Sequence, residues 1–318
     1  KKEVFTVVKT RVIDATLEAL HREIGTYDGQ SAQTPGMQLR ITVTPGWGFQ
    51  GFITRGDKGI EYIAPVALGQ NKFYMIYDRV NLPLDSRKGQ LPTLNLPSED
   101  ELIEATLPRF AVDEPAPGDG EKLLGSPVNL KVYRFACAAT SGFCLLNGVT
   151  KDLVFQKITS VTNQLNAIYE RDINIRLTLI AESYNLIFND PATDPFLGTD
   201  VIGWMNQAPQ IFLQYLGSTD KYDIGHVFAK YINGAALGVS GGGYCCTQFK
   251  ARGCSAWYDA PFDDEFFAIV GQEIGHQWKS GHTFNQCASD SQFNFESACE
   301  PGSGSTIMSY SGSCGTNN

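Results

Sequence analysis

The sequence predicts a mixed α/β (α+β) protein, in which a smaller β-rich domain precedes a larger domain built on a twisted, mostly parallel sheet. Short β-branched and aromatic runs, separated by Gly, Pro, Asn and Asp, fill the chain before residue 80. Strand-like and helix-like stretches alternate after residue 130, which is typical of α/β sheets. All eight cysteines follow residue 136. We therefore predict a β-rich domain at 1–110, a connector at 111–130 and a second domain at 131–318.

The first domain is predicted from four strand-like runs, at 37–43, 49–55, 60–66 and 73–78. From Asn81 the pattern decays into segments rich in Pro, Gly and acidic residues, which cannot sustain a packed element. This composition indicates a connector between the two domains.

The second domain is predicted from alternating elements. Strands are expected at 132–140, 173–181 and 222–229, and a glycine-rich loop at 234–246. Apolar residues recur at helical spacing from Asp152, the expected cap, to Tyr169. A second helix is expected at 261–278, because Pro261 and three acidic residues suit a helix N-terminus, and it should end near Lys279 to Gly281.

Charge and composition exclude two classes of partner. The net charge is −9, and no Lys and Arg run is long enough to bind phosphates, so neither nucleic acid nor an anionic membrane is expected. No apolar stretch approaches the roughly 18–20 residues that span a bilayer. The even cysteine count predicts disulfides and a secreted or extracellular-surface location, with reduced buried thiols as the alternative.

A candidate metal site lies at residues 272–282, which read QEIGHQWKSGH. The zinc-peptidase pattern HExxHxxGxxH places two histidines on one face of a helix, with a glutamate between them. Glu273, His276 and His282 are in register with it, whereas Gln272 stands at the first histidine and Lys279 at the glycine. Downstream, EPGSGSTIMSYSG supplies Met308 in a tight turn.

Further segments occur in the same order as in one family. The runs AIYERDINIRLTLI (167–180), YDIGHVF (222–228) and HTFN (282–285), with the motif and the Met308 turn, resemble reprolysin-like, adamalysin-branch metzincin zinc metallopeptidases over about residues 130–318. The resemblance implies a zincin domain with an active-site helix. It also implies zinc bound at the positions of Gln272, His276 and His282, Glu273 as general base, and Met308 beneath the metal.

The first domain resembles the prodomain of such peptidases. It contains no cysteine, so it cannot cap zinc through a cysteine switch. We interpret His226, within the YDIGHVF run, as a structural strand histidine. We interpret Asp190, Asp194 and Asp200 as turn residues that cap backbone amides and not as a calcium site.

The two departures from the pattern predict weak or absent zinc. Gln272 offers only an amide oxygen, and losing a ligand should lower metal affinity at least about 10- to 100-fold. Lys279 takes the place of a left-handed glycine, which costs about 1–2 kcal/mol unless the turn shifts to Gly281 and moves His282.

Two functions are compatible with this site. The first hypothesis is an extracellular pseudopeptidase, inactive or weakly active, that serves as a binding or assembly module for a protein or peptide ligand. The alternative is an active zinc endopeptidase, with Glu273 as general base in peptide hydrolysis.

Overall fold

The computed structural model describes residues 2–56, 59–67, 69, 72–78, 129–232, 236–258, 264–287 and 292–310. The predicted connector at 111–130 and the boundary at residue 110 lie outside the described residues. The domain limits therefore stay predictions.

The first sheet has six antiparallel strands, each paired with the next along the chain. The sequence runs at 37–43, 49–55, 60–66 and 73–78 correspond to the last four. The first two strands and the short helix α1 (Ala15–Leu20) were not predicted, because polar residues and glycine dominate the second strand. The strands are β1 (Phe5–Lys9), β2 (Gly25–Ser31), β3 (Met37–Thr44), β4 (Gly48–Arg55), β5 (Ile60–Pro65) and β6 (Tyr74–Asp78).

The second sheet is mostly parallel, with the order β10-β11-β9-β7-β8. Only the β10–β11 pairing is antiparallel among its described strands. Alternate residues of β7 enter two different cores, so Phe135 and Ala136 are both fully buried. The strands are β7 (Lys131–Ala139), β8 (Ile175–Leu179), β9 (Ile224–Lys230), β10 (Gly238–Ser240) and β11 (Gly253–Trp257).

Helices cover both faces of the second sheet. Helices α3 and α5 share a core with Phe135 and Cys137, whereas α4 packs on the opposite face with Ala136 and Ala138. No described helix has the length and apolar composition needed to cross a membrane. The helices are α2 (Ser141–Leu146), α3 (Lys151–Ile173), α4 (Val201–Leu216) and α5 (Asp264–Gln277).

Side-chain caps fix the helix starts and the loop before α4. Helix α3 begins at Thr150, whose side chain accepts a hydrogen bond from the Leu153 amide, so the predicted cap at Asp152 is wrong by two residues. Asp190, Asp194 and Asp200 each accept hydrogen bonds from backbone amides, and Asp200 is the N-cap of α4. Their role is the expected capping.

Helix α3 lies between the two sheets. Its apolar residues, among them Val154 and Ile158, pack in the core of the second sheet. Its polar face meets the first sheet: Gln156 accepts a hydrogen bond from the Gly46 amide (2.9 Å), and Asn163 donates to the Ile41 carbonyl (3.0 Å). Both faces of α3 therefore contact protein: the apolar face packs in the core of the second sheet, and the polar face binds the first sheet instead of water.

A buried arginine anchors the first sheet to α3. Arg40 on β3 is 3% exposed, and its Nε donates to Asn163 Oδ1 at 2.9 Å. Its Nη2 pairs with Glu170 at 3.0 Å, and Glu170 also pairs with Arg176 at 2.6 Å. The pKa of Glu170 is lowered because these arginine contacts outweigh burial, which alone would raise it.

The first sheet and the second share one hydrophobic core. Ile13 forms a parallel bridge with Leu179 on the edge strand β8, and the Leu179 amide donates to the Val12 carbonyl. Phe52 of β4 contacts Phe267 of α5, with ring centroids 6.0 Å apart. The Phe52–Phe267 contact lies near the start of α5.

The cysteines are less extensively paired in disulfides than the sequence predicts. Most were predicted to be paired, but six are thiols in the structure, and this prediction is wrong for them. Cys137, Cys144 and Cys254 are buried among apolar residues, where they act as small core side chains. Cys287 is disulfide-bonded, and its partner lies outside the described residues.

Candidate metal centre

Helix α5 presents the motif residues at its C-terminal end. Gln272 and His276 are four residues apart and therefore lie on the same helix face. Gln272 is half-buried, whereas Glu273 and His276 are buried. Gly271, one residue before Gln272, has its carbonyl bound by the Tyr169 hydroxyl of α3 at 2.5 Å, which ties the two helices together.

Lys279 reverses the chain at the end of this helix. The Ser280 amide donates to the Gly275 carbonyl (3.1 Å) and the Lys279 amide to the His276 carbonyl (2.7 Å), the pattern of a Schellman motif. Lys279 has φ +68°, in the left-handed region. The turn has therefore not shifted to Gly281, and Lys279 adopts the conformation that glycine would take.

Gly281 allows close packing and does not form the turn. A Cβ there would lie 2.6 Å from Asn294 Nδ2 and would collide with the Ser297 hydroxyl. Ser297 in turn donates to the His282 carbonyl at 2.6 Å. The missing side chain thus lets the 294–297 segment approach the backbone beside His282.

The two histidines converge. His276 and His282 are each 4% exposed, and their Nε2 atoms are 3.1 Å apart. His276 Nδ1 faces the Ser280 carbonyl (2.6 Å), and His282 Nδ1 faces the Gln292 carbonyl (2.9 Å). A carbonyl only accepts, so in both rings Nδ1 is the donor, which leaves the Nε2 lone pairs directed at each other.

This arrangement fits two ligands of a cation. Two lone pairs at this distance repel each other unless a proton on one ring or a metal cation lies between them. Imidazole nitrogens at about 2.0–2.1 Å from tetrahedral zinc would be about 3.3–3.4 Å apart, close to the observed separation. Carbonyl acceptors at Nδ1 are the usual support of metal-binding histidines. Gln272, which stands at the motif position of the first histidine, offers an amide, so the donor set fits zinc only in part.

Met308 lies beneath the helix, against Gly275. A Cβ at Gly275 would collide with the Met308 sulfur, so a side chain there would displace the turn. The Thr283 amide donates to the Met308 carbonyl at 2.9 Å, which fixes the turn to the chain just after His282.

Glu300 organises the loop that carries Met308. Its carboxylate accepts hydrogen bonds from the Thr283 and Thr306 hydroxyls and from the Ser305 and Thr306 amides. Burial alone would raise the pKa of Glu300, but these hydrogen bonds outweigh it and lower the pKa to about 2. At neutral pH the ionised carboxylate therefore joins the 305–306 turn to Thr283.

His226 belongs to a separate buried network. Gln277 Nε2 donates to the Gly225 carbonyl (2.9 Å), so its Oε1 accepts from His226 Nδ1 (2.9 Å). His226 Nε2 then accepts from the Ser255 hydroxyl at 2.9 Å. Burial lowers the pKa of His226 to about 4, so the ring is neutral at pH 7. Both ring nitrogens are satisfied, as expected of a structural histidine.

Strand β10 runs beside the helix. A Cβ at Gly238 would lie 2.5 Å from Glu273 Oε1, and the Ser240 hydroxyl donates to the Glu273 carbonyl at 2.8 Å. β10 is the edge strand of its sheet within the described residues. The face of β10 that carries Gly238 and Ser240 therefore packs against the glutamate of the motif.

Comparison with protein families agrees with this geometry. The family described as Metallo-peptidase family M12B Reprolysin-like matches residues 129–318, more than half of the chain. The chain belongs to this family. No curated protein gives a significant match to the chain. Members of M12B normally bind zinc, yet no group of three His, Cys, Asp or Glu side chains suited to a metal occurs in the described part of this reprolysin-like chain.

The two histidines of the motif converge in the structure of this reprolysin-like chain, but the groups that support them could not be identified from the motif. The structure brings His276 and His282 together, with Gln272 and Glu273 on the same helix and Met308 beneath. The Ser280 and Gln292 carbonyls could not be found from sequence, because every residue carries a carbonyl. The need for glycine at residue 275, which makes room for Met308, could not be predicted either, because the motif allows any residue at that position.

Proposed function

We propose that this chain is an extracellular reprolysin-like domain that holds zinc weakly or not at all. In this proposal it binds a protein or peptide segment, and peptide-bond hydrolysis is lost or severely weakened. The observation that carries the proposal is the pair of histidines facing each other at 3.1 Å with an amide, Gln272, in the third ligand position.

The chemistry follows from that substitution. An amide oxygen replaces a neutral imidazole, so zinc affinity should be at least about 10- to 100-fold below that of a three-histidine site. Bound zinc supplies a water acidic enough to be deprotonated near neutral pH. Glu273 keeps the position of the base, but a carboxylate has no such water to act on without the metal.

The binding role is supported by the edge of β10. An extended peptide can add to a sheet edge through backbone hydrogen bonds, and β10, an outermost strand of its sheet among the described residues, packs one face against Glu273. The disulfide bond of Cys287 favours an oxidising compartment. Assembly with other proteins outside the cell is part of the same proposal.

The second candidate is an active zinc endopeptidase. It is favoured by the two ring tautomers, which are already set for metal binding, and by the retention of buried Glu273. In this case the Gln272 oxygen would be the third protein ligand of zinc, and Glu273 would serve as the general base.

The deciding experiment measures zinc content by elemental analysis and hydrolysis of an unfolded protein substrate. We expect little zinc and no hydrolysis in the parent, and at least about tenfold tighter zinc binding in Gln272→His. Because Lys279 already makes the turn, this single change should suffice. Gln33→His, which adds an exposed histidine far from the site, is the matched control.

Two results would decide against the proposal. Stoichiometric zinc with hydrolysis that Glu273→Gln abolishes would establish the enzyme. A Gln272→His protein that binds zinc no better than the parent and the Gln33→His control would refute the ligand assignment itself.

A further inference from the structure

Two adjacent thiols lie in contact outside the candidate metal centre. The Sγ atoms of Cys245 and Cys246 are 3.3 Å apart. Cys246 is exposed and Cys245 half-buried, so a small reagent in solution can reach the pair. Among the described residues no other two cysteines are joined by a hydrogen bond, which sets this pair apart.

A tight turn holds the pair in place. The Thr247 amide donates to the Tyr244 carbonyl at 3.1 Å, so both cysteines occupy the centre of the turn. Cys246 has φ +63°, a conformation that favours glycine or asparagine at this place. Its amide donates to the Asp223 carbonyl at 2.8 Å, which fixes the turn against the start of β9.

The same loop closes the end of helix α5. The Cys245 amide donates to the Gln277 carbonyl (2.8 Å), and the Gly243 amide donates to the His276 carbonyl (2.9 Å). These carbonyls belong to the last turn of the helix, where no helical partner is left for them. A covalent link within the turn would therefore stiffen the support of the motif helix.

We propose that Cys245 and Cys246 form a modification site, a vicinal dithiol that closes to an intramolecular disulfide by exchange with a small-molecule disulfide such as oxidised glutathione. The Cys246 thiolate attacks one sulfur of the reagent and releases one glutathione thiolate. Cys245 then gives up its proton and attacks Cys246 Sγ, which releases the second. Two protons and two electrons leave the protein, and the reagent ends as two glutathione thiols.

The order of the two attacks follows from burial. Burial, together with the hydrogen bond to Cys246, raises the pKa of Cys245 to about 12, so the exposed Cys246 is the sulfur that reacts first. The second attack joins two sulfurs that are already 3.3 Å apart. This modification does not depend on whether the domain binds zinc.

The test uses the full chain and mass spectrometry. The protein is incubated with oxidised glutathione, quenched with acid, alkylated and digested with trypsin without reduction. Cleavage after Lys230 and Lys250 releases residues 231–250, which contain these two cysteines and no other. We expect this peptide to lose two hydrogen atoms and to carry neither alkyl group nor glutathione.

Controls within the same protein make the result specific. Cys299 is an exposed thiol and should take up glutathione instead of forming a ring. In Cys246→Ser, the 231–250 peptide should show alkylated Cys245 and no loss of hydrogen. Alkylation of both cysteines in the parent, glutathione on both, or a crosslink to another cysteine would overturn the proposal. The parent protein alone distinguishes these outcomes, so the test does not depend on the folding of the variant.

Discussion

At the scale of single residues, Lys279 shows that the turn of the motif can keep its backbone conformation when lysine replaces glycine. The position requires a left-handed backbone, and Lys279 adopts it with φ +68°. Two hydrogen bonds of the Schellman motif and the close approach of the 294–297 segment at Gly281 hold it there. The Nε2 atoms of His282 and His276 are consequently 3.1 Å apart.

The strain at Lys279 predicts a stabilising substitution. Lys279→Gly should raise the free energy of unfolding by about 0.5–1 kcal/mol, because the left-handed cost disappears while the unfolded chain gains some freedom. Urea denaturation at neutral pH measures the change. Lys279→Ala keeps the Cβ and loses the charge, so it should bring no gain. A glycine variant less stable than the parent would contradict this account of the turn.

At the scale of elements, the link between α5 and the second sheet depends on a neutral histidine. His226 on β9, Ser255 on β11 and Gln277 on α5 form one buried chain of hydrogen bonds. The pKa of His226 is about 4 in the folded protein against 6.5 in the unfolded chain, because burial disfavours the charged ring. The unfolded state therefore binds a proton more readily.

This difference predicts a loss of stability in acid. The contribution of neutral His226 is fully present above pH 6.5 and is lost as the pH falls towards 4. Near pH 5 the loss should be about 2 kcal/mol. Urea denaturation of the parent and of His226→Gln at several pH values should show a weaker pH dependence in the variant. His21→Gln is the control, and equal slopes for parent and His226→Gln would count against the assignment.

The first sheet, as an element, was predicted only in part. Its last four strands have the β-branched and aromatic residues that mark a strand, whereas β2 reads GTYDGQS and gives almost no such signal. The motif residues on α5 were easier to place from sequence, because the helical period puts Gln272 and His276 on one face. Whether the turn stays at Lys279 depends on contacts with residues 294–297, and local sequence cannot supply those.

At the scale of the whole molecule, the two sheets behave as one packed body. Phe52 and Ile13 of the first part are buried in the core that α3 and α5 build. Arg40 adds a buried ion pair with Glu170 across the same interface. Limited proteolysis is still expected to cut first between about Asn81 and Lys131, a stretch that lies almost wholly outside the described residues.

The shared core predicts that such a cut leaves the two parts together. With a specific protease site introduced in the 79–128 stretch, the two fragments should co-elute in size-exclusion chromatography. Arg40→Ala should weaken their association by about 1–3 kcal/mol, because the hydrogen bonds of Arg40 to Asn163 and Glu170 are lost while Glu170 keeps its pair with Arg176. Arg55→Ala removes a pair with Glu61 inside the first sheet and is the matched control. Fragments that separate in the parent would show that the interface is weak.

The polar side of helix α3 has a consequence for what remains if the first part ever leaves. Gln156, Lys157 and Asn163 are nearly inaccessible to solvent in the intact protein, yet each carries groups that water solvates well. Departure of the first sheet would exchange their protein hydrogen bonds for hydrogen bonds to water, and apolar surface would appear around Phe267, Leu179 and Phe155. A liberated 129–318 fragment would therefore expose a helix side that is polar along its middle, next to newly exposed apolar groups.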